Sequence, residues 1–225
     1  MKTTKTILAA AVCIGACGIF APSGATAQGT VYVSNTGEAV GPTVYLGSDR
    51  WAAGDFITGG NSTGYTLDSI QYLSGGADNQ SDDFSLWLYA DNGGQPGTSL
   101  EQLSGTDNPA SAGTIYDYLA SGIALSSSTT YWVVAQMGQR VTSFTYLLDA
   151  TYSGNFISND GWSMNNSAIG VLFSSNSGST WSGGQPYYMQ FGVTAEPAAP
   201  VPEPGTLALG GLGLGLATLF LRRKK

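Results

Sequence analysis

The chain contains no histidine, and its interior has neither a thiol nor a lysine amine. Its two cysteines, Cys13 and Cys17, lie near the N-terminus, and every lysine lies within five residues of one end. Residues 28–200 therefore lack the side chains that thiol nucleophiles, histidine triads, lysine Schiff bases and histidine or cysteine metal sites require. Carboxylates are left as the catalytic acids and bases of this region.

Positive charge is also scarce. The 225 residues carry eight Lys and Arg against fifteen Asp and Glu, a net charge of −7. Between residues 28 and 200 the basic residues are Arg50 and Arg140, against fourteen acidic ones, which gives a net charge of −12. Nucleic acid is excluded as a partner of this region because phosphate binding needs a basic surface.

The N-terminus has the three parts of a secretory signal peptide. Two lysines precede an apolar run over residues 7–20, and a proline follows it. Ala25 and Ala27 then place small side chains at the −3 and −1 positions of a cleavage site. The pattern predicts a signal peptide that ends at Ala27 and a mature chain that begins at Gln28.

Two alternatives to cleavage at this site remain open. The first is a retained N-terminal membrane anchor, although the apolar run is shorter than the roughly 20 residues of a typical span. The second is lipidation at Cys17, which ends a loose lipoprotein-like sequence over residues 14–17. The glycine in that sequence is atypical, so the small-residue site downstream is the preferred interpretation.

The C-terminus predicts a short transmembrane helix over residues 205–221. Residues 206–221 are uncharged and would span about 24 Å as a helix, somewhat less than the roughly 30 Å of a hydrocarbon core. Snorkelling of the first basic residue after the helix would cover the gap. The positive-inside rule places the basic end, residues 222–225, in the cytoplasm and the exported chain on the far side of the inner membrane. The residues of this membrane stop are Arg222, Arg223, Lys224 and Lys225.

A proline-rich segment over residues 195–204 precedes this helix and predicts an extended tether. It ends in the sequence Val201, Pro202, Glu203, Pro204. The Pro-Glu-Pro sequence, the Gly/Leu-rich helix and the basic end together resemble the PEP-CTERM sorting signal of Gram-negative bacteria. The resemblance implies that a membrane-embedded exosortase recognises Pro-Glu-Pro, cuts nearby and passes the protein to the cell surface. It also implies an association with exopolysaccharide production.

Residues 28–194 are predicted to form one all-β domain. They show short strand-like runs between turn-forming clusters and no amphipathic helix. Residues 83–90 alternate, with Phe84, Leu86, Leu88 and Ala90 on one face and Ser85, Trp87 and Tyr89 on the other. Residues 131–137 are apolar on both faces, and residues 187–193 place four apolar side chains on one face of a last strand. Eight to ten strands over this length favour a jelly-roll-like antiparallel β-sandwich. Their order in the sheets is not readable from the sequence.

Three segments of this domain resemble the choice-of-anchor R domains. They are residues 55–70, residues 88–97 and residues 125–133. Such domains are surface modules that occur with different anchoring tails. The resemblance implies a surface location and a β fold, and it implies no chemistry.

The acidic residues do not predict an enzyme. A glycosidase-type site needs two carboxylates that face each other, whereas the adjacent Asp82 and Asp83 would point to opposite faces of a strand. The acidic run over residues 78–83 offers oxygen ligands for calcium but lacks the spacing of an EF-hand loop, so a solvated acidic loop is the preferred interpretation. We expect no catalytic residues, no bound metal and no cofactor.

Trp162 and Trp181 are the candidate binding residues. Both lie in Gly-, Ser- and Asn-rich segments, where an exposed indole could stack on a sugar ring. The alternative is that each indole closes one end of the sandwich core.

The sequence thus predicts an exported bacterial protein that reaches the cell surface or extracellular matrix after tail processing, from an inner-membrane-anchored precursor. Its expected partners are the general secretion machinery, an exosortase and the inner membrane. We expect a structural, exopolysaccharide-associated role, with a carbohydrate-binding module as the first alternative. An uncleaved single-pass inner-membrane protein facing the periplasm is the second.

Overall fold

The computed structural model of the chain describes residues 29–77, 83–138, 146–164, 170–183 and 185–199. These residues form fifteen β-strands and no helix. The strands, numbered in chain order, are β1 Thr30–Ser34, β2 Thr43–Leu46, β3 Trp51–Ile57, β4 Tyr65–Ala77, β5 Phe84–Asp91, β6 Pro96–Gln102, β7 Thr114–Leu119, β8 Ala124–Leu125, β9 Thr130–Met137, β10 Tyr146–Thr151, β11 Ile157–Ser158, β12 Ser163–Met164, β13 Leu172–Ser174, β14 Tyr188–Met189 and β15 Phe191–Pro197.

The strands form two antiparallel sheets. The first sheet has nine strands in the order β11-β1-β15-β4-β10-β14, with β2 paired to β10 and both β7 and β8 paired to β4. The second sheet has six strands in the order β12-β3-β9-β5-β6, with β13 paired to β3. The prediction of an all-β domain with antiparallel sheets is confirmed for the described residues.

Eight of the strands pair in a nested pattern. Strand β1 pairs with β15, β3 with β9, β4 with β7, and β5 with β6. Strand β4 also pairs with β15, and β5 with β9, which joins the four pairs into two sheets. This is the arrangement of an antiparallel ribbon folded over itself, as in a jelly roll.

The core lies between the two sheets and is rich in aromatic rings. Tyr72 of the first sheet packs on Phe84 of the second, with ring centroids 5.0 Å apart. Phe56 of the second sheet meets Phe191 of the first at 6.5 Å. All four rings are buried. Such rings bury large apolar areas, so these contacts fix how the sheets face each other.

The period-two alternation of β5 sets the two faces of the second sheet. Phe84, Leu86 and Leu88 are buried in the core, whereas Trp87 and Tyr89 pack on the opposite face. The predicted alternation over residues 83–90 is therefore confirmed. The outer face of the second sheet carries large aromatic side chains where a solvated sheet usually carries polar ones.

The predicted last strand is divided in two at Gln190. Strand β14 before it pairs with β10, whereas β15 after it pairs with β1 and β4. Gln190 Nε2 donates hydrogen bonds to the carbonyl oxygens of Asn35 and Glu38, at 3.1 and 2.9 Å. The glutamine side chain thus ties the point where the backbone changes partners to the loop after β1, where the Asn35 carbonyl also accepts the N–H of Glu38 at 3.1 Å.

Strand β15 also extends past the predicted domain end at residue 194. Ala195, Glu196 and Pro197 pair with β4, and Ala198 donates its N–H to the Gly64 carbonyl at 3.0 Å. Three residues that the sequence assigned to the tether thus belong to the first sheet.

Candidate functional site

Trp162 lies inside the sandwich. Its side chain is 1% exposed and stacks on Phe56, with ring centroids 5.7 Å apart and an angle of 4° between the planes. Tyr32 stacks on it at 4.8 Å, and Tyr65 meets it edge-on at 4.9 Å. Trp162 therefore offers no ring face to a sugar. The alternative interpretation, an indole that closes the core, describes its place in the fold.

Trp181 lies on the other side of the second sheet, beside a separate aromatic cluster. Four buried side chains form the base of this cluster, and four half-buried aromatic side chains pack against them. We call these eight residues the outer cluster. The base consists of Ala53, Trp132, Val134 and Leu172, and the half-buried aromatic residues are Trp51, Trp87, Tyr89 and Trp181.

The turn between β5 and β6 is positioned against this cluster by Asp91. Its carboxylate accepts hydrogen bonds from the N–H groups of Gly93 and Gly94, both at 3.1 Å. It also accepts one from Trp132 Nε1 at 2.8 Å. One carboxylate therefore shapes the turn and ties it to the buried base of the outer cluster. With three N–H donors directed at it, Asp91 acts as an anchor for the turn.

The loop that carries Trp181 is held by its own polar side chains. Ser174 Oγ accepts the N–H of Gly178 at 2.8 Å, and Asn176 Oδ1 accepts the N–H of Thr180 at 2.9 Å. Gly178 has a φ of +81°, and a Cβ there would lie 2.6 Å from Cζ3 of Trp51. Glycine is thus required both by the backbone and by the indole beneath it.

The turn and the loop enclose an open cleft of about 710 Å³. Trp181 forms one wall. Amide and hydroxyl side chains supply most of the remaining polar groups, and these are Asn92, Gln95, Thr98, Ser179 and Thr180. An aromatic wall with neutral donors and acceptors around it is the chemistry that recognises a polyhydroxylated ring, because the ring packs on the indole while its hydroxyls are hydrogen-bonded.

The described acidic residues do not form a metal-binding group. In the described part of the chain, no three acidic, histidine or cysteine side chains gather closely enough to hold a metal ion. Burial raises the pKa of Asp149, and burial together with Glu196 raises the pKa of Asp68. Both lie in the first sheet, on the far side of the core from the cleft.

Sequence reasoning identified Trp181 but not the residues beside it. The exposed-face positions of β5, Trp87 and Tyr89, already marked an aromatic outer face in the alternation pattern. Trp132 belongs to the run over residues 131–137 that was predicted to be apolar on both faces, and it is buried on the outer face of the sheet. The pattern does not predict that the loop carrying Trp181, more than forty residues after Trp132, packs against these side chains.

The remaining predicted sites lie outside the described residues. These are the signal-cleavage residues, the acidic run over residues 78–82, the sorting sequence over residues 201–204 and the basic end. Within the described ranges, no helix has the length and apolarity that a bilayer crossing requires.

Comparison with known proteins identifies the C-terminal end. Residues 200–224 match the family model of the PEP-CTERM protein-sorting motif. Comparison with curated proteins gives no match, and comparison with solved structures gives none. The motif indicates an exported protein that is sorted to the surface through processing by an exosortase.

Proposed function

We propose that this chain is a structural protein of the bacterial surface or extracellular matrix, delivered there by exosortase processing of its tail. The match of residues 200–224 to the sorting motif carries this proposal. The fold supports it, because β15 ends at Pro197 and the motif follows within three residues. A processing enzyme would therefore meet the motif directly beside a folded domain.

The chemistry of the tail suits an intramembrane protease. Pro202 and Pro204 have no N–H and disfavour a helix, so the enzyme can bind this backbone without unwinding it. A carboxylate at the membrane–water interface costs little, whereas at the membrane centre it would cost about 3 kcal/mol. Glu203 can therefore serve as a charged recognition group for a basic pocket. The helix predicted over residues 205–221 and the basic end after it would hold the precursor until it is cut.

Surface localisation is also supported by the resemblance to choice-of-anchor R domains. Its first segment, residues 55–70, covers the end of β3, the turn after it and the first half of β4. That turn carries the chain from the second sheet to the first, so the segment is a structural part of the sandwich. In this proposal the domain acts through its surface, in association with exopolysaccharide, and performs no catalysis.

Substitution of the motif's acid tests the sorting step. The Glu203→Ala variant should fold and be exported, but its uncut form should accumulate in the inner membrane. Glu196→Ala is the matched control, because it removes a carboxylate seven residues earlier and should leave processing unchanged. The assay is cell fractionation followed by immunoblotting of the β domain. Normal surface delivery of Glu203→Ala at mature size would contradict the proposed role of Glu203, whereas wild type that stays uncut in the inner membrane would favour the single-pass protein facing the periplasm.

Deletion of the basic end tests the membrane stop separately. Without residues 222–225 the helix loses its cytoplasmic anchor, so unprocessed chain should escape into the periplasm. Fractionation distinguishes this outcome from that of Glu203→Ala, since one variant loses membrane retention and the other loses cleavage.

A carbohydrate-binding module is the second candidate function, and the cleft beside Trp181 is the observation that favours it. The cleft has an indole wall, neutral amides and hydroxyls, the carboxylate of Asp91, and no basic side chain among its lining residues. This composition suits a neutral glycan better than one rich in carboxylates. Trp162 has no part in it because it is buried.

Binding of neutral and uronic-acid polysaccharides to the exported protein tests this candidate. Trp181→Ala should weaken binding of a neutral glycan about tenfold, the effect of losing one aromatic stacking contact of about 1.4 kcal/mol. Trp181→Phe should retain part of the affinity. Leu100→Ala, an exposed apolar residue outside the cleft, serves as the control. Equal binding by wild type and Trp181→Ala would reject this cleft as a sugar site.

A further inference from the structure

Two half-buried aromatic residues of the outer cluster, Trp87 and Tyr89, follow one another along β5, and we call them the β5 row. Side chains two residues apart on a strand point to the same face, about 7 Å from each other. Strand β5 pairs with β9 without a break over residues 84–90, so it is regular there. The next position on this face is Asp91, which lines the cleft with Trp181. The β5 row therefore continues the aromatic surface of the cleft along the strand.

Both rings of the β5 row are held in place by neutral side chains. Trp87 Nε1 donates a hydrogen bond to Ser85 Oγ at 3.0 Å. Burial raises the pKa of Tyr89, and a side-chain hydrogen bond with Gln136 lowers it in part. Because each ring is bonded within the sheet, its orientation is set in the folded protein. A ligand that packs on the two rings would therefore lose little side-chain entropy in ordering them.

The β5 row lies beside the edge of the second sheet. Strand β6 is the last strand of that sheet in the described part of the chain, and it pairs with β5. It places Gln102 opposite Trp87 and Ser99 opposite Tyr89, and both of these β6 residues are exposed. An amide and a hydroxyl thus flank the row on the side towards the sheet edge. The cleft is lined by the same types of neutral group.

Two carboxylates near the β5 row are already hydrogen-bonded within the protein. Glu101 of β6 pairs with Leu88, whose side chain lies in the core, so it is directed away from the row. Its carboxylate accepts the N–H of Ser121 at 2.6 Å. The Asp91 carboxylate accepts N–H groups of its own turn and of Trp132. With a net charge of −12 over residues 28–200, this surface favours a neutral ligand over an acidic one.

The length of this surface sets the size of the ligand. At about 3.4 Å per residue, Trp87 and Asp91 are about 14 Å apart along β5. Trp181 lines the cleft that begins at Asp91. A single sugar ring cannot contact both ends of a surface this long. Because the cleft is open, a chain that enters it is free to continue along the strand.

We propose that the cleft and the β5 row form one continuous site for a neutral, linear glycan of several sugar units, with Trp181 and the β5 row as successive stacking positions. The inference rests on the carbohydrate-binding candidate function and deepens it, because it assigns the length and the charge of the ligand. A site confined to the cleft would bind a short oligosaccharide as well as a long one. A site that includes the β5 row binds the long one more tightly.

The test is calorimetric titration of the exported protein with neutral linear gluco-, manno- and galacto-oligosaccharides of two and six units. For the sugar that binds, the six-unit chain should bind about tenfold more tightly than the two-unit chain, the effect of further stacking contacts. Trp87→Ala should remove this advantage and leave two-unit binding unchanged, and Trp87→Phe should retain part of it. Trp181→Ala should weaken binding of both lengths. Tyr152→Ala, which removes an exposed aromatic ring after β10 of the first sheet, is the control and should change neither.

A second variant keeps the test independent of aromatic packing. Gln102→Ala removes an exposed amide beside the β5 row, so it should leave the fold intact and weaken binding of the six-unit chain about threefold. Circular dichroism confirms that each variant is folded. A hexamer of galacturonic acid should bind more weakly than the neutral hexamer, and equal or tighter binding would overturn the assigned charge.

The outcomes separate this inference from the candidate function on which it rests. If no oligosaccharide binds, both are rejected. If two-unit and six-unit chains bind equally and Trp181→Ala weakens both, the cleft stands as a sugar site and the continuous site is refuted. A wild-type dimer that Trp87→Ala converts to a monomer, measured by light scattering, would assign the β5 row to a second copy of the chain and would also overturn the inference.

Discussion

Single residues decide which aromatic side chains lie in the core and which line the open cleft. Trp162 and Trp181 have similar sequence surroundings, yet one is buried between the sheets and the other borders a cleft. Gly, Ser and Asn before a tryptophan indicate a turn. A turn does not determine whether the tryptophan that follows it points into the core or towards solvent. The sequence pattern therefore identified the candidates, and only the packing of Tyr32 and Phe56 on Trp162 separates them.

Substitution of Trp162 should destabilise the domain strongly. Trp162→Ala should lower the free energy of unfolding by about 3–5 kcal/mol, the cost of a large cavity in an aromatic core. Trp162→Phe should cost much less, because the indole Nε1 makes no hydrogen bond that phenylalanine would lose. Urea denaturation followed by fluorescence measures both. Trp181→Ala is the control and should cost about 1 kcal/mol or less; a larger loss there would assign Trp181 to the core.

The buried carboxyl group of Asp149 should make stability depend on pH. Its folded-state pKa is raised by burial, so between the ordinary carboxyl pKa and this raised value the folded state binds more protons than the unfolded state. The free energy of unfolding contributed by this group therefore falls as pH rises through that window. Asp149→Asn should flatten the dependence and stabilise the protein at pH 7. Urea denaturation at a series of pH values measures it.

At the scale of strands, the sequence predicts the strands that have long alternating or continuously apolar runs, and it does not predict the short strands. Strands β5 and β9 follow from their side-chain patterns. Strands β11, β12 and β14 are two residues long, and β7 carries exposed Ile115 and Leu119, so they show no clear period. They form because a longer neighbour offers unpaired backbone groups, which local sequence does not reveal.

The extension of β15 gives a prediction about where the domain ends. A chain of residues 28–194 should be less stable than one of residues 28–199, by about 2 kcal/mol or more, because it loses the pairing of Ala195 through Pro197 with β4. Thermal unfolding of the two chains measures the difference. Equal stability would show that these residues act as tether rather than as strand.

At the scale of the whole molecule, the excess of acidic groups is the dominant electrostatic feature. Residues 28–200 carry a net charge of −12, and like charges repel in the compact state. Raising the ionic strength from about 0.01 M to 0.15 M shortens the Debye length from about 30 Å to about 8 Å. The melting temperature should therefore rise with sodium chloride. A melting temperature that falls would indicate that attractive pairs outweigh the repulsion.

The melting temperature of the mature domain should not depend on reductant, and its circular dichroism spectrum should show mainly β-structure. No cysteine occurs after residue 17, so dithiothreitol should not change the melting temperature of the mature domain. Circular dichroism of residues 28–199 should show little helix, as a sandwich requires. A helix content above about a quarter would contradict the fold.

The place of β15 between β1 and β4 also determines when folding can finish. Bacterial export threads the chain from its N-terminus, and the strand that joins the first sheet is formed by the last residues of the domain. The sheet cannot close until Pro197 has crossed the membrane, because pairing of such distant segments completes late. In the proposed export route, only a few residues then separate the end of the domain from the predicted apolar segment over residues 205–221. Completion of the fold and presentation of the Pro-Glu-Pro sequence to a membrane enzyme would then coincide, which favours processing of folded molecules over unfinished ones.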